Sequence, residues 1–177
     1  HDSIDGDAGN DSLDGGNDAD SLSGGAGHDT LSGLAGLSDD TANDTLRGGA
    51  DNDFYLVAAG RDSVIEAAAE GIDAVLLLQG STTAYTLTAN VENLSLAFPA
   101  SATGFTLAGN DLSNVITGGA GNDRLDGGNG ADSLDGGSGA DTLSGLRADT
   151  TDDAANDTLR GGADNDTYLI AAGGGDS

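Results

Sequence analysis

The chain has 177 residues, with 31 Gly, 31 acidic residues against five basic ones, three Phe, three Tyr, and no Cys, Trp or Met. A formal net charge of −26 excludes a cationic groove for nucleic acid, the lack of Cys excludes disulfide staples, and no apolar run reaches the length of a membrane span. High charge and low aromatic content place the chain near the disordered class, but its periodicity argues against permanent disorder.

The first block, residues 1–57, repeats a nine-residue phrase, Gly-Gly-x-Gly-x-Asp-x-Leu-x. Asp holds position six at Asp2, Asp11, Asp20, Asp29, Asp44 and Asp53, and position eight is apolar at Ile4, Leu13, Leu22, Leu31, Leu46 and Tyr55. The spacings are 9, 9, 9, 15 and 9, the 15 marking a six-residue insertion in the turn 33–43. A fixed short period makes each copy one unit stacked on its neighbours. The glycines suit positive φ and close approach of backbones. Asp and Leu, two residues apart, share one side of an extended segment, so Asp-x-Leu reads as a very short strand with its Leu inward. Two repeats make one coil, coils stack as parallel strands about 4.8 Å apart, and repeat n lies against repeat n+2. Stacked turns bring carboxylates within a few Å of one another. A hard divalent cation relieves that repulsion, and Ca²⁺ takes six to eight oxygens, backbone carbonyls among them.

Residues 58–112 lose the glycine phrase but keep strand signals at Leu56-Val57, Val64-Ile65, Ala74–Leu78, Tyr85–Leu87, Val91–Leu96 and Phe105–Leu107. Asp62-Ser63-Val64 and Asp73-Ala74-Val75 still resemble the end of the phrase. The segment reads as an irregular continuation of the solenoid with longer coils and few metals. Ala67-Ala68-Ala69-Glu70 is short enough to be one helical turn instead. Pro99 falls in the loop 98–104, where it costs no strand hydrogen bond.

The second block, residues 113–177, places Asn114, Asp123, Asp132, Asp141, Asp157 and Asp166 at position six, and Ile116, Leu125, Leu134, Leu143, Leu159 and Tyr168 at position eight. It repeats the first block at an offset of 112 residues, rising to 113 after the insertion, and the text NDTLRGGADND occurs at both 43–53 and 156–166. The chain begins and ends inside this pattern, so it is expected to be part of a longer array. Asn114 keeps an oxygen but loses charge, so its turn is expected to bind cation less tightly.

These phrases resemble the RTX (repeat-in-toxin) family of secreted proteins, whose fold is an all-β, right-handed parallel β-roll with Ca²⁺ in the turns. The resemblance implies that each ion sits between turns n and n+2, held by position-six carboxylates and by carbonyls of positions one to four. Carried onto the first block, the expected metal residues are the position-six aspartates Asp2, Asp11, Asp20, Asp29, Asp44 and Asp53. The turn residues are Gly6, Ala8 and Gly9; Gly15, Gly16, Asn17 and Asp18; Gly24, Gly25, Ala26 and Gly27; Gly33; and Gly48, Gly49, Ala50 and Asp51. In the second block they are Asn114, Asp123, Asp132, Asp141, Asp157 and Asp166, with Gly118, Gly119, Ala120 and Gly121; Gly127, Gly128, Asn129 and Gly130; Gly136, Gly137, Ser138 and Gly139; Gly145; and Gly161, Gly162, Ala163 and Asp164. Asp39, Asp40 and Asp152 lie in the insertions, either as solvated loop residues or as replacements for lost turn carbonyls. Pairing n with n+2 joins Asp2 to Asp20, Asp11 to Asp29, Asp20 to Asp44 and Asp29 to Asp53. In the second block it joins Asn114 to Asp132, Asp123 to Asp141, Asp132 to Asp157 and Asp141 to Asp166. Roughly eight Ca²⁺ would cancel about sixteen charges.

Other motifs fail. Asp5, Asp7 and Gly9 imitate the opening of an EF-hand, but no closing Glu follows. The glycine-rich text lacks the Lys and helix of a phosphate loop. His1 stands at an end and His28 at a variable turn position, so no catalytic group is expected and the chain reads as no enzyme. The function expected is a calcium-dependent structural module of an exported bacterial protein, unfolded in the cytosol, passed through a type I secretion channel, and folded by calcium outside. An adhesin or surface-layer array, with neighbouring repeats of a longer chain as partners, is the leading context. The alternatives are the non-catalytic tail of a secreted lipase, metalloprotease or alginate epimerase, and a surface-polysaccharide-binding face using Thr82, Thr83, Thr86 and Thr88.

Overall fold

The structure, a computed structural model, describes residues 1–36, 42–58, 61–78, 83–145 and 155–170. Asp39, Asp40, Asp152 and Thr82 lie outside the described residues. The chain divides into two compact units, His1–Thr82 with Thr88–Val91, and Thr83–Leu87 with Glu92–Ser177.

In the first unit the strands are β1 (Ser3–Asp5), β2 (Ser12–Asp14), β3 (Ser21–Ala26), β4 (Thr30–Ser32), β5 (Thr45–Ala50), β6 (Phe54–Ala58), β7 (Ser63–Val64) and β8 (Ala74–Leu78). Alternate strands join the same sheet. The order is β1-β3-β5-β7 on one face and β2-β4-β6-β8 on the other. Every pairing is parallel, with Ile4 opposite Leu22, Leu22 opposite Leu46, Leu46 opposite Val64, and Leu13, Leu31, Tyr55 and Val75 in a second ladder.

The second unit continues with β9 (Ala84–Thr86), β10 (Asn93–Leu96), β11 (Thr106–Ala108), β12 (Val115–Gly119), β13 (Arg124–Asp126), β14 (Ser133–Ser138), β15 (Thr142–Ser144), β16 (Thr158–Ala163) and β17 (Thr167–Leu169). Here β10-β12-β14-β16 and β9-β11-β13-β15-β17 form the two parallel faces. The strands are short because only the residues at and around position eight must extend, while the glycine phrase turns the chain. A parallel sheet built this way is a β-solenoid, the roll that the repeat predicts.

Position eight supplies the core. Leu22, Leu31, Leu46, Tyr55, Ile116, Leu125, Leu134 and Leu143 are buried, each worth roughly 1.5–3 kcal/mol relative to exposure. The segment 58–112 carries β7 through β11, in the same parallel register as the repeats. Ala67–Glu70 forms a turn at 68–70 and no helix, because the chain must return to pair Asp73 and Ala74 with the preceding coil. Pro99 lies outside every strand. Among the described residues no helix is long and apolar enough to cross a membrane.

Candidate metal centre

The parallel register fixes the turns. Because β1 pairs with β3 and β2 with β4, the turn before each strand stacks on the turn two repeats away. One hydrogen bond recurs at every step. The backbone N–H of a position-six residue donates to Oδ1 of the position-six Asp two repeats on: Asp11 to Asp29 (2.9 Å), Asp20 to Asp44 (2.7 Å), Asp29 to Asp53 (2.8 Å) and Asp2 to Asp20. The second unit repeats it from Asn114 to Asp132, Asp123 to Asp141 and Asp132 to Asp157 (2.8 Å each), and from Asp141 to Asp166 (3.1 Å). The structure therefore brings together each of the eight pairs named from the sequence.

The other carboxylate oxygen distinguishes two kinds of turn. In the open kind, at Asp11, Asp20, Asp29, Asp53 and Asp141, Oδ2 is buried without a hydrogen-bond partner. Position two of these turns is held at positive φ (Asp7 65°, Gly16 81°, Gly25 110°, Gly49 103°, Gly137 101°). That conformation sends the position-two amide elsewhere: the N–H of Asp7 donates to Asp5 and that of Gly16 to Asp14. A buried anionic oxygen left unpaired costs several kcal/mol unless a cation meets it.

Position one shows what such a cation would find. A Cβ on Gly6 would stand 2.7 Å from Asp11 Oδ2 and 2.6 Å from the carbonyl oxygen of Gly24, two repeats on. At Gly24 the point falls against Asp29 Oδ2 and 2.7 Å from the Gly48 carbonyl, and at Gly136 against Asp141 Oδ2 and 2.7 Å from the Gly161 carbonyl. A carboxylate and a carbonyl converge on one spot that only glycine leaves clear. The polar atoms nearest each point are all oxygen acceptors, which is the donor set of a hard cation and fits Ca²⁺.

In the closed kind the turn satisfies itself. The N–H of Gly119 donates to Asp123 Oδ2 (2.8 Å), and that of Ala58 to Asp62 Oδ2 (2.9 Å). At Asn114 the side-chain oxygen accepts from Asn110 (2.8 Å), while its amide nitrogen donates to the carbonyl of Glu92 (3.2 Å). Asn can do this because it carries both a donor and an acceptor.

A family model of the RTX calcium-binding nonapeptide repeat matches the chain in four copies, at residues 1–36, 37–64, 108–143 and 151–176. The chain belongs to the RTX calcium-binding repeat family. No curated protein matches it. The RTX repeats make this chain a calcium-binding structural module, and His28 is used structurally, its ring lying against the backbone of Asn52 in the next coil of that column.

Three acidic residues outside the glycine phrase also face the two RTX columns, Asp62 in the column of Asp44, and Glu66 and Asp73 in the column of Asp53. Asp62 and Asp73 accept from the N–H of Asp44 (3.3 Å) and Asp53 (2.8 Å), so both occupy position six of their coils. Their Asp-x-Val endings carried that signal in the sequence. Glu66 had none. Asp53, Glu66 and Asp73 are all buried, and one oxygen from each lies within 4.8 Å of the others. In the metal-free protein, burial pushes the Glu66 carboxyl up to about 8, with Asp73, Asp53 and Glu70 adding repulsion. Burial likewise raises Asp62 to about 7 and Asp53 to about 6, against the opposing hydrogen bonds from Ala58 and from Asp29 respectively. Burial also raises Asp123, Asp126 and Asp141.

Proposed function

We propose that the module is a calcium-triggered folding element of an exported protein, in which the open turns hold the ions between repeats n and n+2. The carrying observation is the set of buried carboxylate oxygens without a partner at Asp11, Asp20, Asp29, Asp53 and Asp141. Without a cation, charge repulsion and these orphaned oxygens oppose the roll. With one, the free energy of binding becomes free energy of folding. The position-six aspartates and the carbonyls of positions one to four act as ligands, and the position-eight residues close the core beneath them.

This division of labour suits export. Cytosolic calcium is too low to fill sites of the 10⁻⁴–10⁻³ M class typical of extracellular modules, so the chain stays expanded and can pass a type I secretion channel. Millimolar calcium outside then folds it. The recurrence of one block at an offset of 112 to 113 residues favours a long surface array, an adhesin or surface layer, in which the module is a stiff spacer. Small-angle scattering tests the switch. In chelator the chain should have a radius of gyration near the ~45 Å of an unfolded chain of this length, falling by more than half in millimolar calcium. An equal, compact radius in both conditions would end this reading.

A further inference from the structure

The column of turns in the first unit does not stop where the glycine phrase stops. Leu46 pairs with Val64, so two residues on Gly48 stands opposite Glu66. Glu66 thus occupies position one, where the repeats place a glycine carbonyl. The cradle at Gly48 accordingly differs from those at Gly6 and Gly24: the point a Cβ would occupy meets Asp53 Oδ2 and the Tyr55 hydroxyl rather than a glycine carbonyl. Glu66 and Asp73 lie outside all four matched copies of the repeat.

We infer that Asp53, Glu66 and Asp73 form an additional cation site, built from three carboxylates instead of carboxylates and turn carbonyls, that takes a hard divalent ion of the calcium class. Three observations carry it. The three side chains are buried, Glu66 at 8% exposure, and offer oxygens within 4.8 Å of one another. Ligands at 2.3–2.6 Å from one Ca²⁺ lie up to about 5 Å apart, so this span fits. Second, Asp53 Oδ2 and Glu66 Oε2 are both buried without a hydrogen-bond partner. Third, one oxygen of each carboxylate is fixed by a hydrogen bond that orients the group: the Tyr55 hydroxyl donates to Glu66 Oε1, the Asp29 N–H to Asp53 Oδ1 and the Asp53 N–H to Asp73 Oδ1. The site holds no His and no Cys, which disfavours softer metals. Three anions at close quarters bind more tightly than the carboxylate–carbonyl sites, so this site fills first and anchors the end of the column.

The choice of calcium rests on the proposed function; the site itself does not. Tyr55 is bonded to a ligand, so tyrosine-sensitised terbium luminescence reports this site directly. The wild-type chain and a Tyr168→Phe control should show emission that rises at the lowest terbium concentrations and is displaced by calcium. Glu66→Gln should weaken that phase at least tenfold, and Tyr55→Phe in the Tyr168→Phe background should abolish it. Glu66→Gln also has a sign. If the carboxylates surround a cation, the calcium midpoint of folding rises; if they merely repel one another, it falls or stays. An unchanged terbium titration, or an unraised calcium midpoint, in Glu66→Gln overturns the site. Should that variant fail to fold, infrared spectroscopy of the calcium-loaded wild type decides. An ionised Glu66 supports the site, and a protonated one overturns it. Failure of calcium to fold the wild type at all would strike the module reading instead.

Discussion

The turn that ends at Asp29 and the turn that ends at Asn114 share a place in the roll but bond their side chains differently: Asp29 Oδ1 accepts from the Asp11 N–H of the preceding coil, Asn114 Oδ1 from the Asn110 N–H of its own turn. Both residues are buried, both donate a backbone N–H to the Asp two repeats on, and both precede a buried position-eight residue, Leu31 or Ile116. At Asp29 the second side-chain atom is an anionic oxygen with no partner. At Asn114 it is an amide nitrogen that donates to the Glu92 carbonyl. The Asn turn is complete without a cation, and the Asp turn is not. On the proposed reading, the glycine phrase is a fold with a gap at one atom, and calcium dependence is the filling of that gap.

The largest effect should come from removing the Asp29 side chain. Asp29→Ala deletes both the acceptor for the Asp11 N–H and the candidate ligand. It should cost roughly 3 kcal/mol in saturating calcium, measured by urea unfolding. A loss below ~1 kcal/mol would mean the turn contributes little. Gly24→Ala leaves the Asp in place but sets a methyl 2.7 Å from the Gly48 carbonyl. It should raise the calcium midpoint about tenfold while leaving the Leu22 and Leu31 ladders paired, as amide exchange would reveal. Exchanging the two turns sharpens the contrast. Asn114→Asp should raise the calcium stoichiometry by one in calorimetry. It should also destabilise the protein in chelator by about 1 kcal/mol, since the bond to the Glu92 carbonyl is lost. No gain in stoichiometry would show that the Asn turn is closed for another reason.

The comparison also has a pH dependence. In chelator Glu66, Asp62 and Asp53 have pKa values of about 8, 7 and 6, raised from 4.5, 3.8 and 3.8. A raised carboxyl pKa means the folded state binds more protons than the unfolded chain. Its contribution is complete below about pH 4 and is lost as pH rises toward 8. Acidification over that window should therefore increase β-structure without calcium. With calcium the slope reverses, because protons compete for the ligands. Circular dichroism at a series of pH values, with and without calcium, checks both signs.

The roll was legible because its two determinants are local. Position six and position eight recur at a fixed distance, so burial of Leu31 beneath Asp29 follows from counting. The open and closed turns were not legible. Gly25 and Gly119 both sit at position two, yet Gly25 lies at φ 110° while the Gly119 N–H caps Asp123. Glycine permits both conformations, so its identity does not choose between them. Asn114 was expected to differ by charge alone, whereas its amide donor supplies the missing partner. Asp62 and Asp73 announced position six but lacked glycines before them. Glu66 was invisible, because its place opposite Gly48 appears only when Leu46 and Val64 pair across a coil of irregular length.

Calcium titration followed by far-UV circular dichroism, with magnesium as the control cation, tests the central claim most directly. The open turns predict a cooperative coil-to-β transition with calcium and none with magnesium, which demands tighter octahedral geometry and sheds water reluctantly. Full β-structure in excess chelator at neutral pH would contradict the account, since the orphaned oxygens of Asp11, Asp20, Asp29, Asp53 and Asp141 would then be tolerated without a cation.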